Sequence, residues 1–223
     1  CIRDRGSKVR LWLQQDKIEE AEALAFETLE EAGRIGYVDG AIKSTNSLLT
    51  YYRIIANDLT HALKITDRTF IVAEKLKSDK MKVSLLMNYG SCYYYMGKID
   101  ECEKYYLLAA DLYGKLGNKG KQAGALMNCG VVKFQNGFIK ESISIYEKAL
   151  KIFATVKDTF GMTQCYENIA MSYADLNDTR ALDFYKKVEK LHLLNKDSMN
   201  LAGLYGNIGN YYMEKGNLSE AFT

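Results

Sequence analysis

The chain has 223 residues, of which 48% are hydrophobic and 26% charged, with 17 tyrosines and no proline. That balance is globular and excludes a disordered tract. The 30 basic and 28 acidic side chains are interspersed and leave a net charge of +2, so nucleic acid and anionic lipid are excluded as partners.

Without proline, nothing in the sequence forces a helix to break. Apolar residues at steps of three and four predict helices over about 3–15, 18–33, 37–55, 59–76, 79–96, 99–116, 119–136, 139–156, 159–176, 179–194 and 198–215, with a further one from 218 onward. The clearest stripe is Ile99, Cys102, Tyr106, Ala109, Tyr113 and Leu116, and Ile139, Ser142, Tyr146, Ala149, Phe153 and Val156 repeat it. No strand is expected. The longest apolar runs are about five residues, against the roughly 20 that span a bilayer, so direct membrane insertion is not expected.

The chain repeats itself. Asn88-Tyr89-Gly90, Asn128-Cys129-Gly130, Asn168-Ile169-Ala170 and Asn207-Ile208-Gly209 recur at intervals of 40, 40 and 39 residues. Seven residues after each small third residue comes a turn residue, namely Gly97, Gly137, Asn177 and Gly216. Small side chains follow the turns at Cys102, Ser142, Ala181 and Ala221, and the register extends upstream to Ala62 and, 41 residues before it, Ala21. Close helix approach needs small residues, so Gly90, Gly130, Ala170 and Gly209 are expected to meet those second-helix positions within each hairpin. One repeat array of about five and a half hairpins is expected over 1–223, with units near 1–36, 37–78, 79–118, 119–158, 159–197 and 198–223. The last unit stops inside its second helix, which predicts a longer parent chain and self-association or fraying at that end.

The segment from Asn88 to Ala109 reads Asn-Tyr-Gly-x-x-Tyr-x-x-x-Gly-x-x-x-x-Cys-x-x-x-Tyr-x-x-Ala, and Asn128 to Ala149 follows it with Lys133 in place of an aromatic. This pattern resembles the tetratricopeptide repeat, although the period is about 40 residues where 34 is usual. It is similar to the long-repeat branch of kinesin light chains, cell-polarity adaptors and bacterial peptide-sensing regulators. The match weakens over 1–78, where Val9, Thr50, Asp16 and Asn57 stand at the small-residue and glycine positions. The resemblance implies an all-α fold, a right-handed superhelical solenoid of antiparallel helix pairs, and a partner protein or peptide in its concave groove.

No sequence pattern carries catalysis. His61 falls at the polar start of a second helix and is expected in solvent. His192 stands in an apolar stripe and is expected to be partly buried. Neither HExxH nor a CxxC pair supplies metal ligands, and no phosphate loop or nucleophile elbow is present. No cofactor is expected. Cys1, Cys92, Cys102, Cys129 and Cys165 form an odd set, four of them at apolar helix positions, which suits a reducing, cytoplasmic setting. A lipid-bearing Cys1 in a secreted lipoprotein is the alternative.

In the branch that this chain resembles, a matching asparagine hydrogen-bonds the backbone of an extended peptide. The resemblance implies that role for Asn88, Asn128, Asn168 and Asn207. An amide provides the donor and the acceptor that a peptide bond requires. The same four residues could instead tie neighbouring helices together, and both roles can hold. Tyr94, Tyr95, Phe134 and Tyr211 are candidates for apolar or stacking contacts with the ligand, or for packing. Met87, Ser91, Met127 and Val131 stand where a clamp for an acidic chaperone tail would need Lys and Arg. The expected function is a protein-interaction scaffold. The alternative is a sensory or regulatory domain of a bacterial histidine kinase or transcription regulator, with its effector elsewhere in the chain.

Overall fold

Left-handed backbone positions punctuate the chain at nearly constant intervals. In the computed structural model, which describes residues 2–195, 198–217 and 221, positive φ occurs at Asp16, Gly36, Asn57, Lys77, Gly97, Gly117, Gly137, Lys157, Asn177 and Gly216. From Asp16 to Asn177 these steps are 20 residues each, except for the 21 from Gly36 to Asn57. Every one ends a helix. Glycine takes this conformation without steric cost, and Asn and Asp tolerate it through their short polar side chains. That is why Asp16 and Asn57 serve where later repeats use glycine. The helix starts share the period: the side chains of Asp58, Ser78, Asn118 and Asp158 each accept a hydrogen bond from the backbone N–H three residues on.

The resulting helices are α1 (Ile2–Gln14), α2 (Ile18–Ile35), α3 (Val38–Thr50), α4 (Leu59–Lys75), α5 (Asp79–Tyr95), α6 (Ile99–Lys115), α7 (Lys119–Gln135), α8 (Ile139–Val156), α9 (Thr159–Asp175), α10 (Arg180–Asn195) and α11 (Ser198–Glu214). No strand occurs among the described residues. The continuous helix expected over 37–55 is not found. α3 ends at Thr50, and Tyr51–Ile55 forms a π-helical turn in which the N–H of Ala56 donates to the carbonyl of Tyr51 at 3.0 Å. A π turn accommodates one more residue than an α turn. It sits inside the one 21-residue step, so it absorbs the insertion without disturbing the register of α4. The helix expected from 218 onward lies outside the described residues, apart from the helical Ala221, as does Cys1.

The chain forms two compact units, Cys1–Leu116 and Gly117–Thr223. In the first, α1 to α5 pack around Val9, Leu29, Leu48, Leu49, Met81 and Leu85, with Trp12 and Phe70 partly buried against them, and α6 packs on α5. In the second, α7 to α11 enclose Tyr146, Ile169, Tyr173, Tyr185 and Val188. Both units are stacks of helix hairpins, the arrangement of a helical-repeat solenoid.

The small residues of the first helices make room for something larger than expected. A Cβ on Gly90 would lie 2.6 Å from the ring of Tyr106, and one on Gly130 would lie 2.5 Å from the ring of Tyr146. The nearest groups are thus tyrosines four residues beyond Cys102 and Ser142, because a helical side chain covers the turn before its own Cα. At Gly209 the expected partner is the near one: a Cβ there would lie 3.2 Å from the backbone oxygen of Ala221.

Candidate functional site

Three of the four asparagines lie on first helices whose other face is buried. On α5, Met81, Leu85, Tyr89 and Cys92 turn inward, while Ser84, Met87, Ser91 and Tyr94 remain half-buried. Asn88 sits at the border and is only 8% exposed. Its amide nitrogen donates to Asn46 Oδ1 at 2.9 Å and to the Ser84 carbonyl at 3.0 Å, while its Oδ1 accepts from Arg53 Nη1 at 3.1 Å. Asn46 and Ser84 also bond each other, at 3.0 and 3.2 Å. Asn88 therefore ties α5 to α3 and its π turn, with no amide hydrogen left over.

Asn128 and Asn168 differ. They lie on α7 and α9, which pack directly on one another, and both are half-buried. Among the described residues their side-chain amides have no hydrogen-bond partner. Asn207 lies on α11 and is exposed. Beside them, Met127 and Val131 are half-buried and packed against the core of this unit.

The candidate aromatics divide as well. Tyr94 and Tyr95 meet edge to face at 5.3 Å between centroids, and Tyr95 is 53% exposed. Phe134 on α7 is half-buried. Tyr211 is 4% exposed and belongs to the core, so its ring is taken up by packing. Lys133, in place of an aromatic, reaches Glu141 at 3.2 Å and lies 4.9 Å from the centroid of Phe138.

Both histidines have carboxylate neighbours. His61, expected in solvent, has Nε2 3.3 Å from both oxygens of Glu22, and its ring is 4.3 Å from that of Tyr52. The Tyr52 hydroxyl donates to Glu22 at 2.6 Å. Burial and this carboxylate together raise the Tyr52 pKa. His192 is 5% exposed and 3.0 Å from Glu167 Oε1. These are ties between helices. Among the described residues no group of three or more His, Cys, Asp or Glu is placed to hold a metal ion. Burial pushes the Cys165 thiol up to about 12, so at neutral pH it is protonated and a poor nucleophile.

A pocket of about 480 Å³ that no sequence motif marks lies in the first unit, between α1 and α3 with its π turn. Arg10, Leu13, Lys43, Asn46, Tyr51 and Ile55 are among its lining residues. The sequence signal that pointed there was the 41-residue interval between Ala21 and Ala62, which marks the insertion.

No helix among the described residues is long and apolar enough to cross a membrane. Residues 82–154 match the family model of the tetratricopeptide repeat. No curated protein sequence matches the chain. Among solved structures, BtubC (BKLC) from P. vanneervenii is similar with a TM-score of 0.77 and 19% identity, over 92% of this chain and 86% of that one. A putative kinesin light chain from Podospora anserina, with nearly identical TPR-like repeats, is similar with a TM-score of 0.66 and 13% identity, over 88% of this chain and 97% of that one. A signal-transduction ATPase with numerous domains from Pyrococcus horikoshii, which has a tetratricopeptide repeat sensor, is similar with a TM-score of 0.74 and 17% identity. That similarity covers 99% of this chain but 35% of the other. At these identities the similarity concerns the fold: this chain is an all-α, TPR-like helical solenoid.

Proposed function

We propose that this chain of tetratricopeptide repeats is a protein-interaction scaffold without catalytic activity of its own, and that it binds an extended peptide across α7, α9 and α11. The observation that carries this reading is the pair Asn128 and Asn168. Two half-buried amides without partners among the described residues, on first helices in direct contact, leave a donor and an acceptor at each step for a peptide backbone. Asn207 extends the series, and Phe134 with Met127 and Val131 offers apolar contact alongside. Asn88 is left out because its amide is already engaged. The exposed Tyr95 and its neighbour Tyr94 provide a separate aromatic contact in the first unit. A cytoplasmic setting suits the buried thiols.

The test uses a peptide selected against the full chain from a random library. Asn128→Ala with Asn168→Ala should weaken it by roughly 1–3 kcal/mol, the usual cost of leaving a polar partner unsatisfied. The melting temperature should move little, because neither amide has a hydrogen-bond partner among the described residues. Unchanged affinity with a lowered melting temperature would refute the ligand role.

A second reading is a sensory domain. It draws on the similarity to the repeat sensor of the Pyrococcus horikoshii ATPase, of whose chain this fold spans 35%. A nucleotide-binding, kinase or DNA-binding segment elsewhere in the full reading frame would favour it over a scaffold, whereas further repeats alone would favour the scaffold.

A further inference from the structure

We infer that the pocket between α1 and α3 is a binding site for a carboxylate carried on a small apolar body. Arg10 and Lys43 face the carboxylate, and Leu13, Tyr51 and Ile55 contain the body.

Charge comes first. Arg10 and Lys43 line the pocket, and no Asp or Glu does. Several other cations of this unit do have a carboxylate: Arg5 has Glu31, Arg68 has Glu30, Lys80 has Asp39 and Lys82 has Glu74. Among the described residues Arg10 has no carboxylate partner, and Lys43 donates only to the hydroxyl of Ser7, at 2.7 Å. A third cation is linked to the wall by hydrogen bonds: Arg53 contacts Asn88, which bonds Asn46 of the lining, and among the described residues the buried Arg53 Nε has no acceptor. Two cations and no carboxylate in the lining make a positive field, and a guanidinium favours a planar carboxylate.

The backbone has also been arranged for this wall. The π turn occupies the one 21-residue step of the repeat, and it supplies both Tyr51 and Ile55 to the pocket. Ile55 is 72% exposed, an apolar surface that a ligand would cover. Such turns are frequent at functional sites. On α1, one turn before Arg10, stands Gly6, where glycine costs about 1 kcal/mol relative to alanine. A Cβ there would fall 2.8 Å from Lys43 Cγ, so the glycine lets the lysine stem lie across the helix. A volume of about 480 Å³ lies within the range of pockets for single small ligands, which are mostly apolar with a few polar groups to fix orientation.

The carboxylate could belong to a free organic acid or to the C-terminal residue of a peptide. The test separates the two. 4-Phenylbutyrate and 4-phenylbutylamine are titrated separately into the full chain, and so is a hexapeptide ending in leucine, either with a free carboxylate or amidated. Backbone amide shifts and calorimetry are followed. Binding of phenylbutyrate with shifts confined to α1, α3 and the π turn, and at least tenfold weaker in R10Q/K43Q, supports the inference with an organic acid as source. Binding of the free-acid peptide alone at the same residues supports it with a peptide terminus as source. Both substitutions are at exposed positions, and an unchanged melting temperature verifies that the variant is folded. Equal binding of the amine or the amidated peptide, affinity unchanged in R10Q/K43Q, or no binding of either acid at millimolar concentration would overturn it.

Discussion

A Cβ on residue 130 would stand 2.5 Å from Cε1 of Tyr146, which is closer than any real carbon contact. Gly130 is therefore the space into which the second-helix tyrosine fits, and Gly90 with Tyr106 repeats the relationship one unit earlier. Gly130→Ala should destabilise the chain by roughly 1–3 kcal/mol through overpacking. Gly124 is six residues away on the same helix with nothing within 4 Å of its would-be Cβ. There alanine should stabilise by about 0.5–1 kcal/mol through helix propensity. Thermal or urea melts of the two variants should shift in opposite directions. A shift of the same sign in both would remove the packing account.

The repeat itself was legible because it rests on local rules, namely apolar spacing, turn residues and small residues at a fixed period. Boundaries agreed to within a residue or two from α4 to α11, where glycine, asparagine or, at Lys77 and Lys157, lysine holds the turns. Three features were not legible, each for a physical reason. Thr50-Tyr51-Tyr52-Arg53 carries no marker of a π turn, since the inserted residue shows only in the spacing of distant alanines. The tyrosine over each glycine depends on side-chain direction, which periodicity does not encode. Among the asparagines, identical residues in identical register proved unlike. Asn88 meets Asn46 and Arg53 of the preceding first helix and π turn, and nothing in the asparagine triplets foretells that meeting. The candidate aromatics showed the same limit, with Tyr211 in the core and Tyr95 in solvent.

Two of the left-handed positions are held by lysine, Lys77 with φ of 49° and Lys157 with φ of 56°. The same role at Gly36 and Gly117 is filled by glycine. An L side chain pays about 1–2 kcal/mol for this conformation, part of which glycine gives back in unfolded-state entropy. Lys157→Gly should raise stability by about 0.5–1 kcal/mol, and Gly117→Ala should lower it by about 1 kcal/mol. Urea unfolding midpoints at equal slope test both. Neutral or reversed shifts would mean that the lysine side chains make up the difference through contacts of their own.

Buried phenols set an alkaline limit. Desolvation pushes the hydroxyls of Tyr106 and Tyr185 up to about 12 from an ordinary 10 and raises that of Tyr146 further. Between those values the unfolded chain has lost protons that the folded chain keeps, so stability falls as pH rises. The contribution is complete below pH 10 and is lost progressively through about pH 12. The melting temperature should thus drop across that window, with the phenolate absorbance of these tyrosines appearing only on unfolding. Asp178 acts at the other end: the side-chain hydrogen bond from Arg180 lowers its carboxyl to about 2, a contribution lost as pH falls from 4 toward 2. Early phenolate absorbance with the helix signal intact would show that the tyrosines ionise in place.

The π turn makes the last prediction. Its extra residue is local: the step before it, Asp16 to Gly36, and the step after it, Asn57 to Lys77, are both 20 residues. Deleting one exposed residue of the turn should therefore let the helix close with ordinary i to i+4 bonds and restore a uniform pitch. Ile54 is the residue to remove, since it is exposed and does not line the pocket, whereas Arg53 bonds Asn88 and Ile55 lines the pocket. The expected protein unfolds cooperatively, with helix content equal to or above that of the parent and stability within roughly 1–2 kcal/mol of it. Moving Ile55 by one position also reshapes the pocket wall, so carboxylate binding should be lost while peptide binding on α7 and α9 persists. A deletion variant that fails to fold would show instead that the turn is required for α4 to pack. A variant that folds and still binds 4-phenylbutyrate at α1 and α3 would separate the pocket from the insertion.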